Sequence, residues 1–269
     1  MSHSDDTLIT AHFFLNSDNS IMSGPLETVV RLAWTTFRSV LSDKSALLQK
    51  VVKVQEALST IKIEDVGITE SQIQRLDPKQ SQGWGEIKAP VGFVEVFEDD
   101  LLAVGAFLLK EYAVLPMHNH PTMFGVLKVI HGRVRIKSFD LLDQEKDEKI
   151  PKFLTADSQP SSEEVRKLRF RSETEYTSDS EPCLVTPSEG NIHRLEAVGG
   201  PAIFLDFISP PYNPHLGRDC DYFQELHVNP NEREGADGEL SWCKQIPCPS
   251  SYYCVRMDYF GPSIKMEEQ

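Results

Sequence analysis

The sequence is poor in cysteine, in basic residues and in long apolar runs. Its 269 residues include five cysteines, an odd number without C-x-x-C spacing, so neither a disulfide framework nor a structural zinc site is predicted. The 27 lysines and arginines are outnumbered by 41 aspartates and glutamates. The resulting formal charge of -14 argues against nucleic acid or an anionic membrane as the main partner. No apolar run approaches the ~20 residues of a membrane helix.

The first residues also lack the basic segment of a signal peptide. The basic residues of a signal peptide stand just before its apolar stretch. Here the short apolar patch from Ala11 to Leu15 follows Asp5 and Asp6 instead. Together with the cysteine usage, this predicts a reduced intracellular compartment, the cytoplasm with or without the nucleus. We further expect a monomer.

Two amphipathic helices are predicted near the N-terminus. Apolar residues from Leu26 to Leu41 follow helical spacing, with Pro25 suited to the first turn, and a second helix covers Ala46 to Thr60. We interpret the pair as helices packed on the outside of a sheet, since neither apolar stripe is unusual; a partner-binding hairpin is the alternative. Residues 64–90 are rich in Gly, Pro and Asp and are predicted to be an irregular connection.

Short strands separated by turn residues follow, a pattern typical of an antiparallel sandwich or barrel. They are predicted at Val91–Phe97, Leu101–Lys110, Val114–His120, Phe124–Ile130, Val134–Phe139, Val165–Thr177, Cys183–Thr186, Ile192–Val198, Ala202–Ile208 and Tyr222–Val228.

The predicted organisation has four segments. These are a flexible tail (1–24), a helical extension (25–90), a β domain (91–228) and a C-terminal extension (229–269) that wraps over the barrel without much regular structure. The charged stretch 140–164 is interpreted as a solvated insertion in the β domain, with a lid as the alternative.

The central motif is Pro116 to Gly132, PMHNHPTMFGVLKVIHG. His118 and His120 are two residues apart, so on a strand they project from one face at a spacing suited to metal ligands. The flanking prolines prevent a helix, and Gly132 marks a turn. The tripeptide alone fits equally a surface strand with two solvated imidazoles.

The motif resembles the first motif of the cupin family, which is HxH, four residues, Glu, six residues, Gly. Gly125 stands at the glutamate position, and Tyr112 replaces the glycine that usually opens the motif. The stretch TPSEGNIHRLEA resembles the second cupin motif and supplies His193. The resemblance implies a mainly β fold, the cupin double-stranded β-helix (jelly roll) with the N-terminal helices packed outside, and a metal site formed by His118, His120 and His193.

A three-histidine site without the glutamate is the departure seen in thiol dioxygenases. HPTMFGVLKVIHGRVRI, GNIHRLEAVGGPAIFLD and SPPYNPHLGRDCDYF resemble the cysteamine dioxygenase and plant cysteine oxidase family. The resemblance implies Fe(2+) and an enzyme that inserts both atoms of O2 into a thiol to give a sulfinic acid. The implied substrates are cysteamine, giving hypotaurine, the N-terminal cysteine of proteins in oxygen sensing, or both. A zinc or manganese cupin isomerase and a non-catalytic cupin sensor are the alternatives.

Further residues are candidates around this site. Asp206 lies in the apolar run AIFLDFI, where a lone carboxylate needs either a structural hydrogen bond or a substrate. Tyr212 either packs or presents its phenol; in the resembled family both positions border the metal pocket, which implies catalytic roles. Cys220 and Tyr222 are two apart and either pack on one strand face or form a thioether cross-link. Arg135 is the nearest arginine that could bind a free carboxylate, and its placement is unconvincing, so we expect poor oxidation of free cysteine.

Overall fold

The computed structural model describes residues 24–39, 47–77, 87–142, 165–226 and 240–266. The predicted tail and nearly all of the charged insertion lie outside these residues. The described elements are α1 (Pro25–Ser39), α2 (Leu47–Ser59), α3 (Glu70–Gln74), β1 (Val91–Glu98), β2 (Ala103–Leu109), β3 (Val114–His118), β4 (Phe124–His131), β5 (Arg133–Leu141), β6 (Val165–Thr177), β7 (Cys183–Val185), β8 (Ile192–Ala197), β9 (Ala202–Ser209), β10 (Tyr222–Leu226), β11 (Leu240–Ile246) and β12 (Cys254–Met257).

The strands form two sheets. Sheet A has the order β12-β1-β2-β9-β4-β7, and sheet B has the order β10-β11-β6-β5-β8-β3 and closes on itself through β3 and β10. Strand β12 pairs parallel with β1, whereas the neighbouring strands elsewhere in the two sheets pair antiparallel. The inward faces of the two sheets meet in an apolar core, which we call the inter-sheet core. It includes Leu109, Leu127 and Phe204 from sheet A, and Leu115, Ile136 and Leu195 from sheet B.

The N-terminal helices cover the outer face of sheet A. Apolar side chains at helical spacing in α1 are buried, and they join a second core with α2 and the outward residues of β2, β4 and β9. Trp34 Nε1 donates to Asp99 Oδ2 at 2.6 Å, which ties α1 to the turn between β1 and β2. Helices packed on a sheet, rather than a free hairpin, are therefore what this chain forms. The mainly β cupin fold with helices outside is confirmed.

Ten strands match the sequence prediction to within a few residues, and two segments are more regular than predicted. In the stretch predicted to be irregular, Thr69 caps α3: its hydroxyl accepts from Gln72 N, while Gln72 Oε1 accepts from Thr69 N. In the C-terminal extension, β11 joins sheet B and β12 joins sheet A. The prediction that this extension has little regular structure is wrong, and the domain boundaries themselves stay predictions. Among the described helices, none is long and apolar enough to cross a membrane.

Candidate metal centre

Two paired strands and a turn bring three histidines together. His118 is the last residue of β3 and lies opposite His193 of β8 in the antiparallel register, while His120 follows in a turn closed by Met123 N donating to His120 O. One ring nitrogen from each histidine lies within 4.8 Å of the other two. His120 Nε2 and His193 Nε2 are 3.0 Å apart. The three residues predicted as metal ligands thus form one cluster.

Neighbouring groups orient two of these rings. His118 Nδ1 lies 2.8 Å from Pro116 O, an acceptor, so Nδ1 carries the hydrogen and Nε2 is free to bind a metal. The Tyr212 hydroxyl donates its hydrogen to Asn119 O at 2.7 Å and therefore accepts from His120 Nδ1 at 3.0 Å. His120 Nε2 is then also unprotonated. Such hydrogen bonds to the non-ligating nitrogen fix the tautomer and direction of metal-binding imidazoles.

Asn191 holds the backbone of His120 and was not predicted to be part of the site. Its Oδ1 accepts from His120 N at 3.1 Å, and its Nδ2 donates to His120 O at 2.7 Å and to Thr186 O at 2.9 Å. Asn191 is buried, so all of these polar groups are satisfied within the protein. The sequence feature that could have indicated its role is its position within GNIH, two residues before His193.

Burial keeps the histidines neutral. It lowers the pKa of His118, against the opposing effect of the Pro116 carbonyl. Burial, reinforced by the neighbouring imidazoles, holds the pKa values of His120 and His193 well below the usual 6.5. A neutral imidazole is the form that binds a metal. A cation between the close Nε2 atoms would satisfy their lone pairs, so the donor set fits a metal; three imidazoles suit zinc or ferrous iron alike.

The histidines line a cavity of about 200 Å³ between the two sheets. Its walls are mainly apolar and aromatic, and Asp206, on the inward face of β9, is the carboxylate among them. No lysine or arginine of the described residues is among its lining side chains. Because protein surrounds the carboxyl group, burial raises the pKa of Asp206 to about 7. The other lining residues are Phe107, Leu115, Pro116, Leu127, Leu195, Phe204, Ile208, Tyr212, Cys220, Tyr222 and Tyr252.

The Cys220 thiol lies between two phenols of this cavity. It is within hydrogen-bonding reach of the hydroxyls of Tyr212 and Tyr222, and burial raises the pKa of all three groups. The Tyr222 ring centroid is 6.4 Å from that of His118 and 6.1 Å from that of Tyr252. Tyr252 completes this wall from the C-terminal extension. It was missed by the sequence analysis, because nothing near it in sequence resembles the histidine motifs.

Arg135 is directed away from the cavity. It lies in β5 beside Ile136, whose side chain faces the inter-sheet core, so adjacent Arg135 takes the opposite face. Its guanidinium donates to Glu175 Oε1 at 2.8 Å. Gly125, at the position of the cupin glutamate, pairs with Val185 and Ile208 and supplies no ligand. Asp206, Tyr212, Cys220 and Tyr222 are all brought to the cavity, and their roles stay predictions.

Comparison with known proteins finds one matching family model, and relatives that are named 2-aminoethanethiol dioxygenases or plant cysteine oxidases. The PCO_ADO family model matches residues 57–264. The 2-aminoethanethiol dioxygenase of Homo sapiens is 34% identical over 229 residues, which cover 80% of this chain and 82% of that protein. The 2-aminoethanethiol dioxygenase of Mus musculus is 38% identical over 183 residues, covering 65% and 72% of the two chains. Plant cysteine oxidase 1 of Arabidopsis thaliana is 26% identical over 215 residues, covering 78% and 68%.

Proposed function

This chain belongs to the PCO_ADO family, and we propose that it is an iron(II)-dependent thiol dioxygenase that adds both atoms of O2 to the sulfur of an aminothiol. The product is a sulfinic acid, which is not readily reduced back to the thiol. The observation that carries this proposal is the cluster of three buried, neutral imidazoles in a cavity that Asp206 also lines.

The residues of the cavity have separate roles in binding the metal and the substrate. When held by His118, His120 and His193, ferrous iron supplies a site for a thiolate and for dioxygen. Tyr212 keeps His120 in the binding tautomer. The apolar walls exclude water from the reacting sulfur, so the thiol is oxidised in a largely dry space.

The presence of Asp206, and the absence of a cation among the described lining residues, select the substrate. Cysteamine and an N-terminal cysteine share a thiol two carbons from an amine, and Asp206 is suited to receive the ammonium group. Free cysteine also carries a carboxylate, which would be desolvated beside Asp206 without a cation to pair it, since the described lining has none. An amide at that position removes the charge. We therefore propose cysteamine, giving hypotaurine, and N-terminal cysteines of proteins as substrates, the latter allowing the enzyme to report oxygen.

The proposal is tested by loading the protein with ferrous iron under anaerobic conditions. Oxygen uptake and product mass are then measured with cysteamine, free cysteine and an N-terminal-cysteine peptide side by side. We expect a mass gain of two oxygen atoms per thiol and at least tenfold lower kcat/KM for free cysteine. Comparable efficiency with free cysteine would contradict the role of Asp206. Turnover that persists with zinc in place of iron would favour a different metal-dependent cupin, and thiol binding without oxygen consumption would favour a sensor.

The ligand assignment is tested with a matched pair of histidine variants. His193→Ala removes one of three metal ligands, so iron content and oxygen uptake should both fall to background while circular dichroism stays unchanged, because the apolar cores hold the fold. His215→Ala removes an exposed imidazole outside the cavity and should change neither. Near-normal oxygen uptake by iron-free His193→Ala would show that the ligand assignment is wrong.

We also propose that some molecules carry a thioether between Cys220 and Tyr222. The bond joins Sγ to a ring carbon next to the phenol oxygen, and two hydrogens are lost to dioxygen as the oxidant. The closeness of the thiol to the Tyr222 hydroxyl supports it. Peptide mapping after repeated turnover should reveal a linked peptide lighter by two hydrogens than the sum of its parts, absent from Cys220→Ser. Its absence from iron-loaded, oxygen-exposed protein would leave packing as the role of this pair.

A cytoplasmic or nuclear location and a monomeric state are also proposed, on the composition alone. The acidic net charge of -14 supports small thiols and protein N-termini, rather than nucleic acid or membrane, as partners. Fractionation of cells and sedimentation of the purified chain test the two statements separately.

A further inference from the structure

The closed sheet B encloses a space on the side opposite the histidines. His193 faces the inter-sheet core side, whereas its neighbours Ile192 and Arg194 face the inside of the closed sheet. One side chain from each of the six strands fills part of this inside space, as in other small barrels. These six residues are Met117, Phe139, Leu168, Ile192, Phe223 and Cys243.

Beyond this apolar layer the barrel opens into a cavity of about 730 Å³, which we call the barrel groove. Its walls carry both signs of charge, from Lys137, Arg194, Glu173 and Glu225. Arg194 donates to Glu196 Oε2 at 2.9 Å. Lys137 Nζ donates to Glu225 Oε2 at 2.5 Å. Since β5 and β10 are not neighbours in the sheet, this ion pair crosses the inside of the barrel. The volume lies within the ~300–1,000 Å³ typical of ligand sites.

The barrel groove and the metal cavity meet at the seam between β3 and β10. Pro116 lines both cavities, and on β10 Tyr222 lines the metal cavity while Phe223 lines the groove. The two strands pair through a single register pair, Tyr222 with His118. Pro116 has no N–H and cannot donate to a ladder across the seam. Tyr252 completes one cavity and Ser251 the other, so the same C-terminal turn borders both openings.

Tyr112 stands in the barrel groove in a conformation that costs free energy. Its φ is +62°, in the left-handed region that favours glycine, and its side chain is 67% exposed. An exposed aromatic ring does not repay that strain by packing inside the protein. Strained residues of this kind occur at ligand-binding positions. A contact with a bound molecule would therefore explain the strained and exposed Tyr112 ring.

We propose that the barrel groove binds the chain of a peptide whose N-terminal cysteine occupies the metal cavity. This inference rests on the proposed function and specifies its substrate as an extended segment of several residues. The metal cavity has room for little more than the cysteine, so the next residues must leave it, and the groove begins at Pro116, which lines both cavities. A groove with both signs of charge suits a peptide of mixed polarity, and Tyr112 is placed to pack on it.

The test compares substrates of different reach. Cysteamine and a ten-residue peptide with N-terminal cysteine, followed by Gly, Ser, Lys and Glu residues, are oxidised by the iron-loaded protein and its Tyr112→Gly variant. Glycine suits the φ of +62°, so this variant should fold at least as well as the parent. We expect kcat/KM for the peptide to fall at least fivefold, mainly through KM, while kcat/KM for cysteamine changes less than twofold. Arg194→Gln should act in the same direction.

A matched control and a binding measurement complete the experiment. Phe260→Ala removes another exposed aromatic ring, 61% exposed and outside both cavities, and should leave both substrates unaffected. Equal losses for cysteamine and peptide in Tyr112→Gly, or no loss for the peptide, would overturn the proposal. If the parent protein oxidises neither substrate, the proposed function fails. In that case, fluorescence anisotropy of a labelled peptide with serine in place of cysteine tests peptide binding by the groove. The groove proposal is supported if Tyr112→Gly weakens the affinity for this peptide at least threefold. It is contradicted if the parent and the variant bind the peptide equally.

Discussion

Burial of Asp206 beside the histidines lowers the stability of the fold at neutral pH. The carboxyl group keeps the proton in the folded, metal-free protein up to a pKa of about 7, whereas its ordinary value is 3.8. Between these values the unfolded chain has released a proton that the folded chain still binds. The contribution of this group to stability is therefore greatest below pH 4 and is lost as the pH rises towards 7.

This linkage predicts a pH-dependent difference between the parent and Asp206→Asn. In chelator-treated protein, urea unfolding should show the parent losing stability relative to the variant between pH 4 and pH 7, by at most about 4 kcal/mol, and no further above pH 8. Asp100→Asn, at an exposed position in the β1–β2 turn, is the control for replacing a carboxyl group by an amide. Parallel pH profiles for the parent and Asp206→Asn would show that Asp206 is ionised in the folded protein.

Sequence alone singled out the three histidines and Asp206, which the structure brings to one cavity, because each stands in a motif or in an apolar run that makes it unusual. It could not identify Asn191 or Tyr252 as parts of the site. Asn191 acts through three hydrogen bonds to backbone atoms, and such bonds depend on where another strand passes rather than on any local pattern. Tyr252 reaches the cavity from a segment about 60 residues beyond His193. Residues that act across strands become visible only when the register is known.

At the scale of elements, the turn between β4 and β5 carries the chain from sheet A to sheet B. Gly132 occupies it with φ +68°, as its position in the motif predicted. A Cβ atom at Gly132 would lie 2.2 Å from Pro201 O and 3.0 Å from Ala202 Cα, so the backbone at the start of β9 excludes any side chain. Gly199 has φ +72°, and a Cβ atom there would have no described atom within 4 Å beyond its chain neighbours.

Alanine substitutions at these two glycines distinguish the cost of backbone strain from the cost of a steric clash. Gly199→Ala should cost about 1–2 kcal/mol from the left-handed backbone alone. Gly132→Ala carries the same strain and the clash as well, so it should cost about 1–3 kcal/mol more. Chemical unfolding of both variants measures the difference. Equal costs would mean that the β4–β5 turn shifts freely enough to make room for the added methyl group.

The strands that could be predicted are those with a clear pattern. Alternating or continuous apolar runs in β1 to β10 fixed their positions, and the 3.6-residue period did so for α1 and α2. By contrast, β11 (LSWCKQI) has neither a strict alternation nor a continuous apolar run, and β12 (CVRM) has only four residues. Their order comes from pairing, β11 with β6 and β10, and β12 with β1. Such strands form because a partner edge is present, which no local pattern records.

At the scale of the whole molecule, the last described residues of the C-terminal segment pack against the N-terminal helices. Arg31 of α1 donates to Lys265 O at 2.6 Å, and Gln72 of α3 donates to Asp258 O at 2.9 Å. Ile264 is buried in the core beneath the helices, with 9% of its surface exposed. The C-terminal segment thus secures the helices to sheet A as well as forming part of the wall of the metal cavity.

This closure predicts that a C-terminal substitution loosens an N-terminal helix. Ile264→Ala should lower the free energy of unfolding by about 2 kcal/mol, at the low end for isoleucine because the site lies near the surface. Hydrogen exchange should also become faster at the amides of α1, more than 220 residues away in sequence. Val255→Ala, at a position 40% exposed in β12, should change stability by less than about 0.5 kcal/mol. If exchange becomes faster only at residues 254–266, the packing of the helices on sheet A does not depend on the C-terminal segment. The hydrogen bonds of Arg31 and Gln72 to that segment would then not contribute measurably to the stability of the helices.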